Sequence, residues 1–438
     1  RRYYPKYQRL VQVLGYTDAA NVGREGIEST LNPQLAGVSG YRLVERTRRS
    51  SEVLSEYSKE VQPINGSNVE LTIDMGLQNI VEQQLELAVR EYAPEKIMAV
   101  FMDPGTGEIL SMASRPQFNQ FTREGVRKIH PIADRYEPGS TFKIVALSAA
   151  FDRGLITPDS IFFCYNGRYQ EPGVTLSDHR AYGYLSAEEI LAKSSNIGVY
   201  MLAKKIGRHT FHSYIKDFGF TRKTGVELTA ESSGAVTRPD SKWWSKTSLS
   251  RIAMGYEVDV TALQMVNALC VIANGGTLFQ PQIIQRITSQ DGLTMYRFQP
   301  KKIRRVIHEG AANKVRDALM AVVSKGGTGT KAQVDGFHVA GKTGTAKKLK
   351  NPRNQGYHKG RYVVSFMGFL PAENPRLAGI IVVDDPKNKG SRYGGAVAAP
   401  IFSKIAAAAM PYMGIDRRKA TRSLGPSTGQ VLQSDLID

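Results

Sequence analysis

The sequence predicts an α+β fold in which helices flank one antiparallel sheet. Three observations point there. Strand-length apolar runs stand at both ends of the main region, helical periodicity fills its middle, and a hairpin with turn chemistry opens it. A chain of 438 residues also has room for more than one domain, at about 100–200 residues each.

Residues 1–68 come first. They are rich in Gly, Arg, Tyr and Ser, with short apolar pieces at 10–14 and 41–44, and read as a small strand-rich N-terminal module. Residues 69–73 alternate apolar and polar, as a half-buried strand does. Asp74 is placed to cap a helix over 76–92, with Leu77, Ile80, Val81, Leu85 and Ala88 on one face and Pro94 as its stop. Strands over 97–102 and 109–113 flank Asp103-Pro-Gly-Thr-Gly-Glu108, a turn sequence. Helices are expected over 141–152, 187–193, 197–206, 211–218, 262–273 and 311–324. Strands return at 339–345, 362–369 and 378–383, and an Ala-rich helix follows over 395–409. The segment 347–361 is basic and broken by Pro352 and Gly356. These elements divide the chain into an N-terminal module (1–68), a main domain (69–412) and a Ser/Gly/charged tail (413–438) expected to be disordered.

Hydrophobic residues at 41% and charged residues at 22% are ordinary globular values and exclude disorder or a collagen repeat for the bulk of the chain. The net charge of +18 fits a solvated basic surface or an anionic partner, and composition does not choose between them. No zinc-finger spacing or RNP-type strand supports a nucleic-acid partner. Cys164 and Cys270 form no CxxC pair and the seven histidines show no ligand spacing, so neither a disulfide framework nor a metal or other cofactor is expected. No run approaches the roughly 18 consecutive apolar residues of a bilayer span. The chain starts at Arg1 rather than Met, as if mid-protein, so an excised portion without its anchor is expected.

Three motifs could carry chemistry. In Glu137-Pro-Gly-Ser140-Thr-Phe-Lys143 the serine lies at the start of an apolar helix, with the lysine one turn on. A serine hydroxyl needs a base to become a nucleophile, and a lysine whose pKa is depressed can serve. In Ser194-Ser-Asn196 the polar side chains fall in a break between two helices, the first opened by a capping box, Ser186-Ala-Glu-Glu189. In Lys342-Thr343-Gly344-Thr345 a cation and hydroxyls lie along a strand whose glycine lets a ligand come close. Each motif alone also reads blandly, as caps or a connector. Ser213-Tyr-Ile-Lys216 and Lys223-Thr-Gly225 are decoys, the latter read as a turn before a strand over 226–228.

One rival reading is a phosphate-binding loop, because Gly336-Phe-His-Val-Ala-Gly-Lys342-Thr343 matches G-x-x-x-x-G-K-[ST]. That loop follows a strand and opens a helix. Here its interior is strand-like and a basic broken segment follows, so this reading is set aside.

In order, S-x-x-K, S-x-N and K-T-G stand at intervals of 54 and 148 residues, and together they resemble the penicillin-binding proteins and their serine β-lactamase relatives. Tyr136-Glu-Pro-Gly-Ser-Thr-Phe-Lys143, Lys193-Ser-Ser-Asn-Ile-Gly198, Gly341-Lys-Thr-Gly-Thr-Ala346, Gly394-Gly-Ala-Val-Ala-Ala-Pro-Ile-Phe402 and Gly23-Arg-Glu-Gly-Ile-Glu28 all look like class B penicillin-binding proteins. Ser-Ser-Asn with Lys-Thr-Gly-Thr-Ala-Lys-Lys looks closest to the FtsI-type division enzyme, penicillin-binding protein 3, ahead of the elongation type.

The resemblance implies a penicillin-binding/serine β-lactamase-like transpeptidase domain behind a pedestal- or dimerisation-like module, and a peptidoglycan D,D-transpeptidase of septal cell-wall synthesis. By resemblance, Ser140 is the nucleophile and Lys143 its base. Ser194 relays a proton, Asn196 holds the donor peptide, and Lys342 sets the electrostatics. Thr343, Gly344 and Thr345 line the substrate or β-lactam, and the Ser140 and Thr345 N–H groups form the oxyanion hole. Implied partners are peptidoglycan stem peptides, β-lactam antibiotics, and, through the N-terminal region, a membrane-embedded glycosyltransferase and other divisome proteins. The implied place is the inner membrane, with a single-pass anchor and the catalytic domain in the periplasm. A D,D-carboxypeptidase, a β-lactamase and a non-catalytic β-lactam sensor or scaffold are the alternatives.

Overall fold

A computed structural model describes residues 3–4, 9–46, 52–53, 58–119, 122, 124–350, 356–388 and 392–416. The N-terminal module pairs short strands, Tyr41–Leu43 with Lys59–Val61, and adds helical turns at Val11–Leu14, Gly26–Thr30 and Asn32–Leu35. Residues 10–14, apolar in sequence, thus form a helical turn. It docks on the main domain with Leu10 and Val13 buried in the same core as Met112 and Ile129, and with two polar contacts: Leu10 N–H donates to Glu82 Oε1 at 3.0 Å, and Ser114 Oγ donates to Gln12 Oε1 at 2.9 Å.

The main domain begins with Asn68–Leu71, which pairs with Ile284–Thr288. Helix α1 spans Met75–Tyr92, and Asp74 caps it by accepting the Leu77 N–H at 2.9 Å. Strands β1 (Lys96–Met102) and β2 (Ile109–Arg115) form the opening hairpin. After β2 come α2 (Lys143–Asp152), α3 (Ala187–Ala192), α4 (Asn196–Ile206), α5 (Ala262–Ala273) and α6 (Glu309–Val323), but short antiparallel pairs that periodicity did not indicate are interspersed, among them Arg168–Glu171 with Val174–Ser177 and Thr277–Phe279 with Lys302–Arg305. Strands β3 (Ala340–Leu349), β4 (Tyr357–Leu370) and β5 (Leu377–Asp384) follow, then α7 (Gly394–Tyr412).

The five strands form one antiparallel sheet in the order β3-β4-β5-β1-β2. First and last segments therefore meet at β5 and β1, where Ile380 faces Val100. Both faces are covered. Ile97, Ala99 and Phe101 point to the side packed by α1 and α7, and Met98, Val100 and Met102 to the side packed by α5. Burial of alternate residues on both sides explains why these strands read as continuous apolar runs rather than alternating ones. Each large side chain so buried contributes roughly 1.5–3 kcal/mol.

Several expectations change. β3 and β4 extend beyond the strands expected at 339–345 and 362–369, because the two ends of the basic segment pair, with Lys347 facing Tyr362 and Leu349 facing Tyr357. Residues 351–355 of that segment lie outside the described residues. Residues 226–228 form no strand; the Leu228 N–H donates to the Val226 carbonyl at 2.7 Å, a tight turn with both side chains buried. Helix α7 is long and apolar enough to cross a membrane by length and composition, which no run of consecutive apolar residues had indicated. Its Val397, Phe402, Ile405 and Ala406 instead pack on the sheet. Met413 and Ile415 pack on the same core, and the remainder of the expected tail, 417–438, lies outside the described residues.

Candidate active site

Ser140 sits on a turn that precedes a helix. Gly139–Phe142 forms a 3₁₀ turn, and the Lys143 N–H donates to the Ser140 carbonyl as α2 begins. In 3₁₀ geometry residues three apart eclipse, so Ser140 and Lys143 share a face. Gly139, Thr141 and Phe142 are buried, while Ser140 is half-buried. Two neighbours wedge the turn in place. The Gly139 N–H donates to Gly255 O at 3.0 Å, and a Cβ on Gly139 would lie 3.0 Å from Thr345 O. With φ +57° Gly139 also occupies the left-handed region, where glycine is unstrained.

Ser194 ends α3 in an unusual way. The Ser194 N–H donates to Leu191 O at 3.2 Å and the Ser195 N–H to Ile190 O at 2.9 Å, the Schellman pattern. The left-handed position of that motif usually holds glycine, yet here Ser194 takes it at φ +60°. Such strain costs about 1–3 kcal/mol and persists only where the surroundings enforce it. Ser195 immediately caps α4, accepting the Gly198 N–H at 2.9 Å. Asn196 is the first residue of α4, and its Nδ2 donates to Ser177 O at 3.0 Å.

Lys342, Thr343, Gly344 and Thr345 lie on β3, an edge strand whose outer side faces the Ser140 turn. A Cβ on Gly344 would lie 2.3 Å from Ser365 Oγ and 2.9 Å from Pro138 O, so glycine lets the sheet touch the loop that leads into Ser140. Thr345 Oγ1 accepts the Gly394 N–H at 3.1 Å, and Thr343 Oγ1 donates to Thr328 Oγ1 at 3.0 Å.

The three motifs converge through two buried amines. Lys143 Nζ donates to Ser194 O at 2.6 Å and to Asn196 Oδ1 at 2.7 Å, and lies 3.4 Å from Ser194 Oγ. Lys342 Nζ donates to Ser194 Oγ at 3.0 Å. Both lysines are fully buried. Burial disfavours the ammonium and brings Lys143 down to about 7, partly opposed by the Asp178 carboxylate. Burial, then repulsion by Lys143, pushes Lys342 well below its ordinary value.

Lys143, Ser194, Asn196 and Lys342 are therefore in one hydrogen-bonded cluster, the backbone of the Ser140 turn adjoins Gly344 and Thr345, and both decoys are on the surface. Ser213 and Lys216 are exposed on the helix Arg208–Asp217, and Lys223 is exposed in a loop. Lys342 stands in a strand with no helix after it, contrary to a phosphate-binding loop.

Sequence reasoning missed Asp178. Its carboxylate accepts Ser195 Oγ at 2.6 Å and the N–H groups of Asn196 and Ile197. It therefore caps α4 and is the anion nearest in effect to Lys143. No local pattern around Asp178 signals this, because its partners lie 17 to 19 residues on.

Chemically, the cluster joins a half-buried serine, an amine able to be neutral near pH 7, and a hydroxyl between two amines. That is the equipment of serine acyl transfer.

Known proteins share this fold and domain order. The penicillin binding protein transpeptidase domain matches residues 97–407, and the penicillin-binding protein dimerisation domain matches residues 1–71. Stage V sporulation protein D of Bacillus subtilis is 34% identical over 426 residues, covering 95% of this chain and 65% of that protein. Peptidoglycan D,D-transpeptidase FtsI of Escherichia coli K12 is 32% identical over 420 residues, covering 95% of this chain and 68% of that protein. The chain thus spans about two thirds of the length of these relatives. Penicillin-binding protein 3 from Mycobacterium tuberculosis, complexed with ampicillin, has the same fold at TM-score 0.84 and 31% identity, covering 99% of this chain and 93% of that one.

Proposed function

The chain belongs to the class B penicillin-binding proteins, and from that membership we propose that it is a serine D,D-transpeptidase of the FtsI type that cross-links peptidoglycan stem peptides during septal wall synthesis. One observation carries the reading: Lys143 and Lys342, both buried, converge on Ser194 beside the Ser140 turn.

In this reading Ser140 Oγ attacks the penultimate D-Ala carbonyl as its proton passes to neutral Lys143. The Ser140 and Thr345 N–H groups hold the oxyanion, a donor of this kind being worth about 3 kcal/mol. The C–N bond then breaks, Ser194 delivers a proton to the departing D-Ala amine, and an ester to Ser140 remains. An amine of a neighbouring stem attacks that ester, forms the cross-link and frees Ser140. Asn196 hydrogen-bonds the donor peptide, Lys342 supplies positive potential, and Thr343 and Thr345 with Gly344 receive the donor carboxylate. A β-lactam acylates Ser140 by the same route.

We assign catalysis to residues 69–412 and a pedestal- or dimerisation-like role to 1–68. The protein would work in the periplasm, held on the inner membrane by a single span, beside a membrane-embedded glycosyltransferase and other divisome proteins. Anionic wall polymer and a nearby membrane surface suit the +18 charge.

The test is incubation with a fluorescent penicillin, mass-spectrometric location of the labelled peptide, and then a donor stem peptide with and without an acceptor amine. Stable label on Ser140 and amine-dependent product are expected. Label elsewhere, rapid release, or hydrolysis alone would each defeat the reading.

A further inference from the structure

The nucleophile turn and β3 are far apart in sequence, yet acyl transfer needs Ser140 held to a fraction of an ångström against Lys342 and Thr345. Backbone contact at Gly139 and Gly344 sets their closest approach. Nothing in those two contacts prevents the long β3–β4 hairpin from rocking about them. A second tie, at the outer end of the hairpin, would remove that freedom, and the structure contains one.

Tyr357 opens β4 and faces Leu349 at the outer end of the β3–β4 pairing. Its hydroxyl donates to Glu137 Oε2 at 2.9 Å and accepts from Arg251 Nη2 at 2.7 Å. Glu137 precedes Ser140 by three residues and is buried. Its other oxygen accepts the Glu257 N–H at 2.9 Å, and Arg251 Nε lies 2.7 Å from Glu257 Oε1. The Tyr256 ring meets the Tyr357 ring edge-on at 6.2 Å, and the Arg251 guanidinium lies over both. Burial and the Glu137 charge push the Tyr357 hydroxyl up, so it stays a donor across the working pH range.

We propose that Tyr357, through Glu137 and Arg251, is a positioning residue that locks the β3–β4 hairpin to the Ser140 turn. Three chain segments end on this one hydroxyl: the loop before the nucleophile, the helix Ser248–Ala253, and the strand paired to β3. Tyr357 touches no reacting atom in this role. Its contribution is to the geometry in which acylation occurs, so it should appear in the rate of the covalent step rather than in affinity.

The inference rests on the acyl-enzyme reading, and stopped-flow acylation of the full chain by a chromogenic penicillin tests both. For Tyr357→Phe we expect the first-order acylation constant at saturation to fall about tenfold, the scale on which small misplacements act. The half-saturating concentration and the melting temperature should change little. In Glu137→Gln the same constant should fall, and Tyr357→Phe/Glu137→Gln should lose no more than the worse single variant, as members of one bracket do. An unlabelled wild-type chain would overturn the acyl-enzyme reading and this inference with it. A labelled wild type matched by an equally fast Tyr357→Phe overturns the inference alone. So does a slow variant whose loss follows its half-saturating concentration or its melting temperature, or a double variant whose losses multiply. Arg251→Lys keeps a cation but loses the planar fork. It serves if Glu137→Gln does not fold, with the same non-additivity expected and fully multiplied losses again decisive against the bracket.

Discussion

The Lys342 amine donates to the Ser194 hydroxyl at 3.0 Å, across 148 residues of sequence. Lys143 holds the carbonyl of the same serine at 2.6 Å. A serine in left-handed backbone thus joins the helix that follows the Ser140 turn to the strand that faces it. Both contacts depend on the Schellman turn that presents Ser194 between two helices.

Ser140→Ala should abolish covalent labelling by penicillin while leaving the melting temperature near that of the wild type, since the residue is only half-buried. Ser213→Ala should label normally. Gel fluorescence with a fluorescent penicillin reads both, and equal loss in the two variants would refute the choice of motif.

Acylation should rise with pH through a limb centred near 7, where Lys143 becomes neutral. Stability carries the matching sign. The folded value is depressed below the unfolded value of about 10.4, so between the two the unfolded chain binds the extra proton and stability rises with pH. Below pH 7 the burial cost is present in full. Rate and urea midpoint against pH check the pair, and Lys143→Met should remove the rate limb and shrink the stability limb, the remainder belonging to buried Lys342.

Asp178→Asn keeps the shape but loses the charge that opposes the depression of Lys143. The acylation limb should move to lower pH. One acceptor becomes a donor facing N–H or O–H groups at the start of α4, so about 1–2 kcal/mol of stability should be lost as well. An unmoved limb would show that Asp178 acts only as a cap.

Ser194→Gly separates strain from function. Glycine relieves the left-handed backbone by roughly 1 kcal/mol, close to the value of the hydrogen bonds that the hydroxyl makes. The urea midpoint should therefore move little, whereas acylation should fall by at least tenfold because the proposed proton relay is removed. Parallel loss of both would mean that the hydroxyl is structural.

Phe402→Ala should cost about 3–5 kcal/mol, because Phe402 is fully buried against Phe101 and Phe366 at ring distances of 6.0 and 5.0 Å. Differential scanning calorimetry checks it. A small loss would show that α7 is weakly docked on the sheet.

Much of this was legible in the residues because the signals are local. The capping box at Ser186 and Glu189 forms as read, and α5 spans the stretch its periodicity indicates. The order S-x-x-K, S-x-N and K-T-G was legible too, each motif resting on a helix start, a helix break or a strand. What failed locally has a common cause. The ends of β3 and β4 reach into a basic segment with Pro and Gly because a partner strand supplies hydrogen bonds that composition does not advertise. The apolar run at 226–228 is buried without joining a sheet.

The sequence by itself determined which side chains exist to do chemistry, and on what kind of element each one rides, since caps, periodicity and turns act over a few residues. Only the tertiary structure decided that Lys143 and Lys342 would share one serine out of water, and that Asp178, Glu137 and Tyr357 would be placed around them. The reason is physical. An amine titrates near 7 only when its solvent is removed and its neighbours are set, and those conditions arise from packing segments that lie 50 to 220 residues apart.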